Sequence, residues 1–209
     1  VVIATSLLAL GLAIAFGTMR SASRATARAE ISAQREEHLR AVQGFLRTQL
    51  SAALPIPFEF DGDSGAATFL RASPGKLEFV GTMPGYLARG GPYLQTLELQ
   101  SGPDGKRLLF QHQLLSADGP AEAEREPVVL LDGIANAAFE VRTVDEKLQP
   151  GRWQEKWQVS AQLPPQVRLR LQFRDTRRSW PELVVATRLG AAFAASPPVP
   201  LADGGAVIH

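Results

Sequence analysis

The amino-acid sequence predicts an α+β protein: a long N-terminal α-helix, transmembrane in its first half, packed on a mostly antiparallel β-rich head. Three observations carry this. Residues 1–19 contain no charged side chain. Residues 20–54 contain no proline and a single glycine, Gly44, and place apolar residues at helical spacing. From residue 55 onward, short runs alternate apolar and polar residues between Gly- and Pro-containing turns, the mark of half-buried strands.

The first element is the run VVIATSLLALGLAIAFGTM, which ends at the first charge, Arg20. A hydrocarbon core needs about 20 apolar residues of helix. Within the run Ala9, Ala13 and Gly17, followed by Ser21, recur every fourth position. That spacing lines small side chains along one helix face, where a neighbouring backbone can approach closely. Leu8, Leu12 and Phe16 flank this stripe, so these six residues, 8, 9, 12, 13, 16 and 17, are the expected membrane and helix-packing positions. A cleaved signal peptide opens on a basic segment, which these residues lack. A plain single-pass anchor and a filament-forming helix both fit. The second is preferred because the apolar run passes directly into an amphipathic helix.

That second half spans 20–54 and is rich in Ala, Arg, Glu, Gln and Leu, good helix formers. Ile31, His38, Leu39, Val42, Phe45, Leu46, Leu50 and Leu54 fall near one face, with Arg35, Glu36, Arg40 and Arg47 largely elsewhere. Pro55 and Pro57 stop the helix, because proline lacks the amide donor and restrains the residue before it. The whole rod would reach roughly 80 Å. Arg20, Arg24 and Arg28 form a basic stripe just past the apolar run. It reads as a solvated or headgroup-contacting face, or as a set of partner contacts to carboxylates on adjacent helices. The positive-inside tendency alone would put this stripe in the cytoplasm.

The head is expected over 55–188. Val167, Leu169, Leu171 and Phe173 face in, with Arg168, Arg170, Gln172 and Arg174 facing out. Phe139 and Val141 alternate with Glu140 and Arg142, and Leu108, Phe110 and Leu114 with Leu109, Gln111 and Gln113. Leu77 with Phe79, Leu97 with Leu99, Trp157 with Val159 and Leu183 with Val185 give further strands. Turn signals separate them, among them Asp61-Gly62, Pro74-Gly75, Pro103-Asp104-Gly105, Asp118-Gly119-Pro120, Asp132-Gly133 and Pro150-Gly151. Residues 117–126 read as a mobile loop. The stretch 189–209, of low complexity with scattered prolines, reads as a disordered tail.

Composition narrows the chemistry. There is no cysteine, which excludes disulfides, thiolate metal sites and cysteine nucleophiles. A net charge of +1 gives no bulk attraction to nucleic acid. His38, His112 and His209 are not brought together by spacing, and no hydrolase, P-loop or dinucleotide motif is present. No catalytic residue and no cofactor is therefore expected. Asp61 and Asp63 begin like a calcium loop, but the sixth and twelfth positions are Ala66 and Ala72 where such a loop needs glycine and glutamate. An exposed turn is the expectation. Trp153 and Trp157 flank the charged turn GRWQEKW and read either as rings covering the core and a sheet edge or as partner-contact anchors.

An uncharged run, a continuous amphipathic helix and a β domain in this order resemble the type IV pilin-like class. In that class a leader is removed before a phenylalanine, and a glutamate stands at the fifth mature position. Val1 resembles the residue just after that glutamate. Three segments narrow the resemblance: PVVLLDGIANAAFEVR (127–142), WQVSAQLPPQVRLRLQF (157–173) and FLRASPGKLEFVGT (69–82). In this order they are similar to segments of the J-type minor pseudopilins of type II secretion. The resemblance covers roughly 1–188. It implies a single-pass protein of the bacterial inner membrane with its head in the periplasm, processed by a prepilin peptidase. It further implies partnership with the I-, K- and H-type minor pseudopilins and the major pseudopilin, at the tip of a pseudopilus that it helps to initiate. A minor pilin of a type IV pilus and a single-pass anchored periplasmic binding domain stay open as alternatives.

Overall fold

The computed structural model describes residues 20, 30, 33–85, 90–123, 125–143, 149–157 and 162–189. The expected transmembrane half, Arg24, Arg28 and the expected tail beyond Leu189 lie outside them. The chain divides into two compact units, Val1–Gln43 and Gly44–His209. In the first, residues 33–43 are helical; Leu39 and Val42 are buried, while Arg35, Glu36, Glu37, His38 and Arg40 are exposed. Among the described residues no helix is long and apolar enough to cross a membrane.

The second unit opens with helical residues 44–51, whose buried positions Leu46, Gln49 and Leu50 recur at three- and four-residue spacing. The helix ends at Ser51, four residues before Pro55, and Leu54, immediately before that proline, is already extended. Its amide donates to the Val80 carbonyl at 2.7 Å. Helix and sheet are joined at that point.

Ten strands follow among the described residues: β1 Glu59–Phe60, β2 Ala67–Thr68, β3 Leu70–Ser73, β4 Lys76–Thr82, β5 Pro92–Gly102, β6 Gly105–Ser116, β7 Gly119–Pro120, β8 Val128–Arg142, β9 Gln166–Phe173 and β10 Leu183–Ala186. β1 and β2 form a separate hairpin. The main sheet runs β10-β9-β8-β6-β5-β4-β3, with β7 on β6, and every pairing is antiparallel. The expected hairpin in 69–82 is β3–β4, turning at Pro74-Gly75. Part of the expected mobile loop 117–126 is ordered, since β7 pairs with Leu115 and Ser116.

The 15-residue β8 organises the sheet. Its first half pairs with β6, from Val128 opposite Phe110 to Ile134 opposite Lys106. Its second half pairs with β9, from Ile134 opposite Phe173 to Arg142 opposite Gln166. The two half-sheets therefore join along β8 near Ile134, where irregular register marks bulges on both sides. Bulges bend a strand and increase its twist, and here they curl the sheet. The curl brings the β3–β4 turn to the free edge of β8, where Phe139 N–H donates to the Pro74 carbonyl at 3.3 Å. Leu77, Phe79, Leu97, Leu108, Ile134, Phe139, Val167 and Leu169 fill the interior with essentially no exposure.

Three expectations are corrected here. Asp132-Gly133 is not a turn between strands but a bulge inside β8. Gly133 sits at φ 65°, its carbonyl accepts the Arg174 amide at 2.9 Å, and Arg178 Nη1 donates to the Asp132 carbonyl at 3.2 Å. Trp157 is not in a strand; it is buried in an irregular segment, its indole N–H donating to the Gln162 carbonyl at 3.1 Å. Glu140 points away from the apolar interior, as alternation requires, yet it is only 6% exposed because other side chains cover it.

Candidate partner-contact surface

The cover over Glu140 is a layer of charge on the outer face of β8, β9 and β10. Cross-strand pairing sets Glu140 opposite Arg168 and Arg142 opposite Gln166, and directly opposed residues share a face. Arg168 Nε and Arg170 Nε both donate to Glu140 Oε2, at 2.7 and 2.8 Å, and Arg170 Nη2 donates to Oε1 at 3.0 Å. Arg168 Nη1 reaches Glu182 at 2.8 Å, and Arg142 Nε reaches Gln166 at 2.6 Å. The buried carboxylate is thus bound through both oxygens, the arrangement that lets a charge remain under cover.

Trp153 closes this layer. The guanidinium groups of Arg142 and Arg168 both lie over its ring, 4.4 and 4.2 Å from the ring centroid. The segment carrying it is fastened by a two-way bridge, Val141 N–H to the Gln154 carbonyl and Gln154 N–H to the Val141 carbonyl, each 2.8 Å. Gly151 lies close to the Thr143 backbone, where a Cβ would come within 3.0 Å of the carbonyl oxygen. Trp153 and Trp157, paired in sequence, serve different places: the first is half-buried on the charged face, while the second is buried, its indole bonded to Gln162. Next to this layer, Asn136, Ala138, Arg170 and Gln172 border a shallow depression of about 330 Å³.

Elsewhere, Arg20 is exposed on a helical residue. The packing positions Leu8, Ala9, Leu12, Ala13, Phe16 and Gly17 lie outside the described residues. Asp61 Oδ1 accepts from the Asp63 amide (3.2 Å), the Ser64 amide (2.7 Å) and the Ser64 hydroxyl (2.7 Å), a turn-closing arrangement. These bonds, led by the Ser64 amide, hold its carboxyl below the usual 3.8. Among the described residues the most exposed large apolar side chains are Phe60, Val128, Val129 and Leu189. Sequence reasoning missed Phe60, although an aromatic residue beside an Asp-Gly turn was a usable signal.

Comparison with known proteins decides what this head belongs to. The family model described as type II secretion system (T2SS), protein J, matches residues 17–180. A relative named type II secretion system protein J, from Xanthomonas campestris pv. campestris, is 37% identical over 191 residues, covering 89% of each chain. The chain belongs to the type II secretion system protein J family. A chain in the crystal structure of the GspK-GspI-GspJ complex from enterotoxigenic Escherichia coli is similar at a TM-score of 0.48 and 16% identity, over 71% of this chain and 92% of that one. The match of the protein J family model takes in the basic residues from Arg20, the whole of β1 to β9 and both tryptophans of the GRWQEKW turn.

Proposed function

We propose that this J-family chain is a minor pseudopilin that assembles with other minor pseudopilins at the tip of a type II secretion pseudopilus, initiating the filament and supporting protein export. The observation that carries this reading is the 37% identity to a type II secretion protein J over nearly nine-tenths of both chains. The family is a secretion-system component, and the chain acts by assembly without catalysis. In this reading residues 1–19 anchor it in the inner membrane, 20–54 continue the same helix as an amphipathic stalk, 55–188 form a periplasmic head and 189–209 a tail. The partners are the I-, K- and H-type minor pseudopilins and the major pseudopilin, and a prepilin peptidase processes the precursor.

The mechanism is helix packing. A rod whose apolar half leaves lipid for a filament core needs close backbone approach, which the small stripe Ala9, Ala13 and Gly17 permits. Arg20, Arg24 and Arg28 then meet carboxylates of neighbouring stalks. Full-length Gly17→Leu should lose co-purification with I- and K-type pseudopilins while the head keeps its unfolding transition. Unchanged co-purification would overturn the packing role. Failure of the unsubstituted chain to restore export in a strain lacking its own protein J would overturn the function itself.

A further inference from the structure

The tip of the β1–β2 hairpin has no assigned role, and its construction is unusual for a surface turn. Phe60 stands 66% exposed, opposite Ala67, whose methyl group covers little of the ring. Phe58, just ahead of the strand, is buried against Val80 and Leu94, whereas Phe60 has no place in that cluster. A large aromatic side chain therefore stands in water beyond the end of the core.

The tip is held in place. Phe58 N–H donates to the Thr68 carbonyl at 3.0 Å and Asp61 N–H to the Ala66 carbonyl at 2.9 Å. Gly65, at φ 67°, returns its amide to the Asp61 carbonyl at 2.9 Å. Asp61 Oδ1 closes the turn from inside. At the base, Arg71 pairs with both Glu59 and Glu78, the latter at 3.3 Å, and lies over the Phe58 ring at 5.6 Å. Lys76 holds Glu78 at 2.9 Å. A ring held this way loses little conformational entropy when it docks, which is what a binding anchor requires.

The surroundings say what kind of surface it fits. Asp61 and Asp63 follow Phe60 in the turn and make no ion pair among the described residues, whereas Glu59 is neutralised by Arg71. An acidic tip is repelled by anionic lipid headgroups, and by the same tip of a second copy in an isologous contact. We propose that Phe60 is a docking anchor that inserts into an apolar recess bordered by lysine or arginine on a neighbouring subunit of the same filament. This rests on the J-family assembly reading above.

The test uses the full-length chain co-expressed with the I- and K-type minor pseudopilins of the same secretion system, with Phe60→Ala and Asp63→Lys as variants. Phe60→Ala should weaken co-assembly at least tenfold while the head's urea midpoint stays unchanged, since the ring is outside the core. Asp63→Lys should weaken it severalfold at 50 mM salt and far less at 500 mM, because the contact is electrostatic. If the unsubstituted chain assembles and Phe60→Ala assembles within twofold of it, the anchor is wrong while the assembly reading stands. If the unsubstituted chain captures neither partner, the assembly reading fails and the anchor falls with it.

Discussion

Gln95 Nε2 donates to Gln49 Oε1 at 2.8 Å, a bond between the last helical turn and the first half of β5 formed by two side chains 46 residues apart. Gln95 is fully buried and Gln49 nearly so. The same amide lies 3.4 Å from the Thr82 carbonyl. Gly81 leaves the space for it, since a Cβ there would stand 2.9 Å from Gln95 Nε2. This polar tie in an apolar interface fixes where the helix end sits on the sheet.

Gln49→Ala, which strands a buried donor, is expected to cost ~1–3 kcal/mol. Gln95→Ala should cost more, ~2–4 kcal/mol, because it also opens a cavity. The double substitution Gln49→Leu with Gln95→Leu should cost less than the sum of the single ones, since no polar group is left unpaired. Urea unfolding followed by circular dichroism measures all three.

Glycines at positive φ should separate into two classes. Gly105, at φ 116°, faces the Ile134 carbonyl, and a Cβ would come within 2.6 Å of that backbone oxygen. Gly65, at φ 67°, has nothing within 4 Å. Gly65→Ala should cost about 1 kcal/mol of backbone strain. Gly105→Ala should cost several-fold more, because the β5–β6 turn must move off β8. Equal shifts in thermal midpoint would contradict the close approach.

Removing the carboxylate beneath the arginine layer should be severe. Glu140→Ala leaves Arg168, itself largely covered, without its main counter-charge, for which about 3–5 kcal/mol is the usual loss. Glu140→Gln keeps the shape and should cost less. Trp153 emission should shift in both, because its ring lies against Arg168. An Arg170→Ala change should be milder, since that side chain is more than half exposed.

Asp61 gives the hairpin a pH dependence of defined sign. Hydrogen bonds from Ser64, backbone first, lower its folded carboxyl pKa below 3.8. The turn's contribution is therefore fully present above the unfolded carboxylate value and lost as pH falls through the lower folded one. Asp175, held down chiefly by the Arg177 side chain, follows the same sign. Carboxyl chemical shifts followed between pH 5 and pH 2 should place both midpoints below the ordinary carboxylate value of 3.8.

Much of the head was legible because strands announce themselves locally. Val167, Leu169 and Phe173 are buried and Arg170 and Gln172 exposed, as alternation required. Leu183 and Val185 form β10, and Pro74-Gly75 turns β3 into β4. Misreadings occurred where one local signal served two structures. An Asp-Gly pair suits a hairpin turn and a bulge equally, and what selects the bulge at 132–133 is Arg178, 46 residues from Asp132. Outward alternation gave the direction of Glu140, but its burial required Arg168 and Arg170 to converge across the β8–β9 pairing.

The sequence by itself determined the apolar run at the start, the helix-ending prolines, most strand positions and the family, because each rests on residues near one another in the chain. Only the tertiary structure decided that β8 joins two half-sheets, that Gln49 meets Gln95, and that Arg142 and Arg168 converge over the Trp153 ring. It alone placed Phe60 beyond the edge of the core. These depend on contacts between distant segments, whose partners are set by sheet register and curl and leave no periodic trace in the chain.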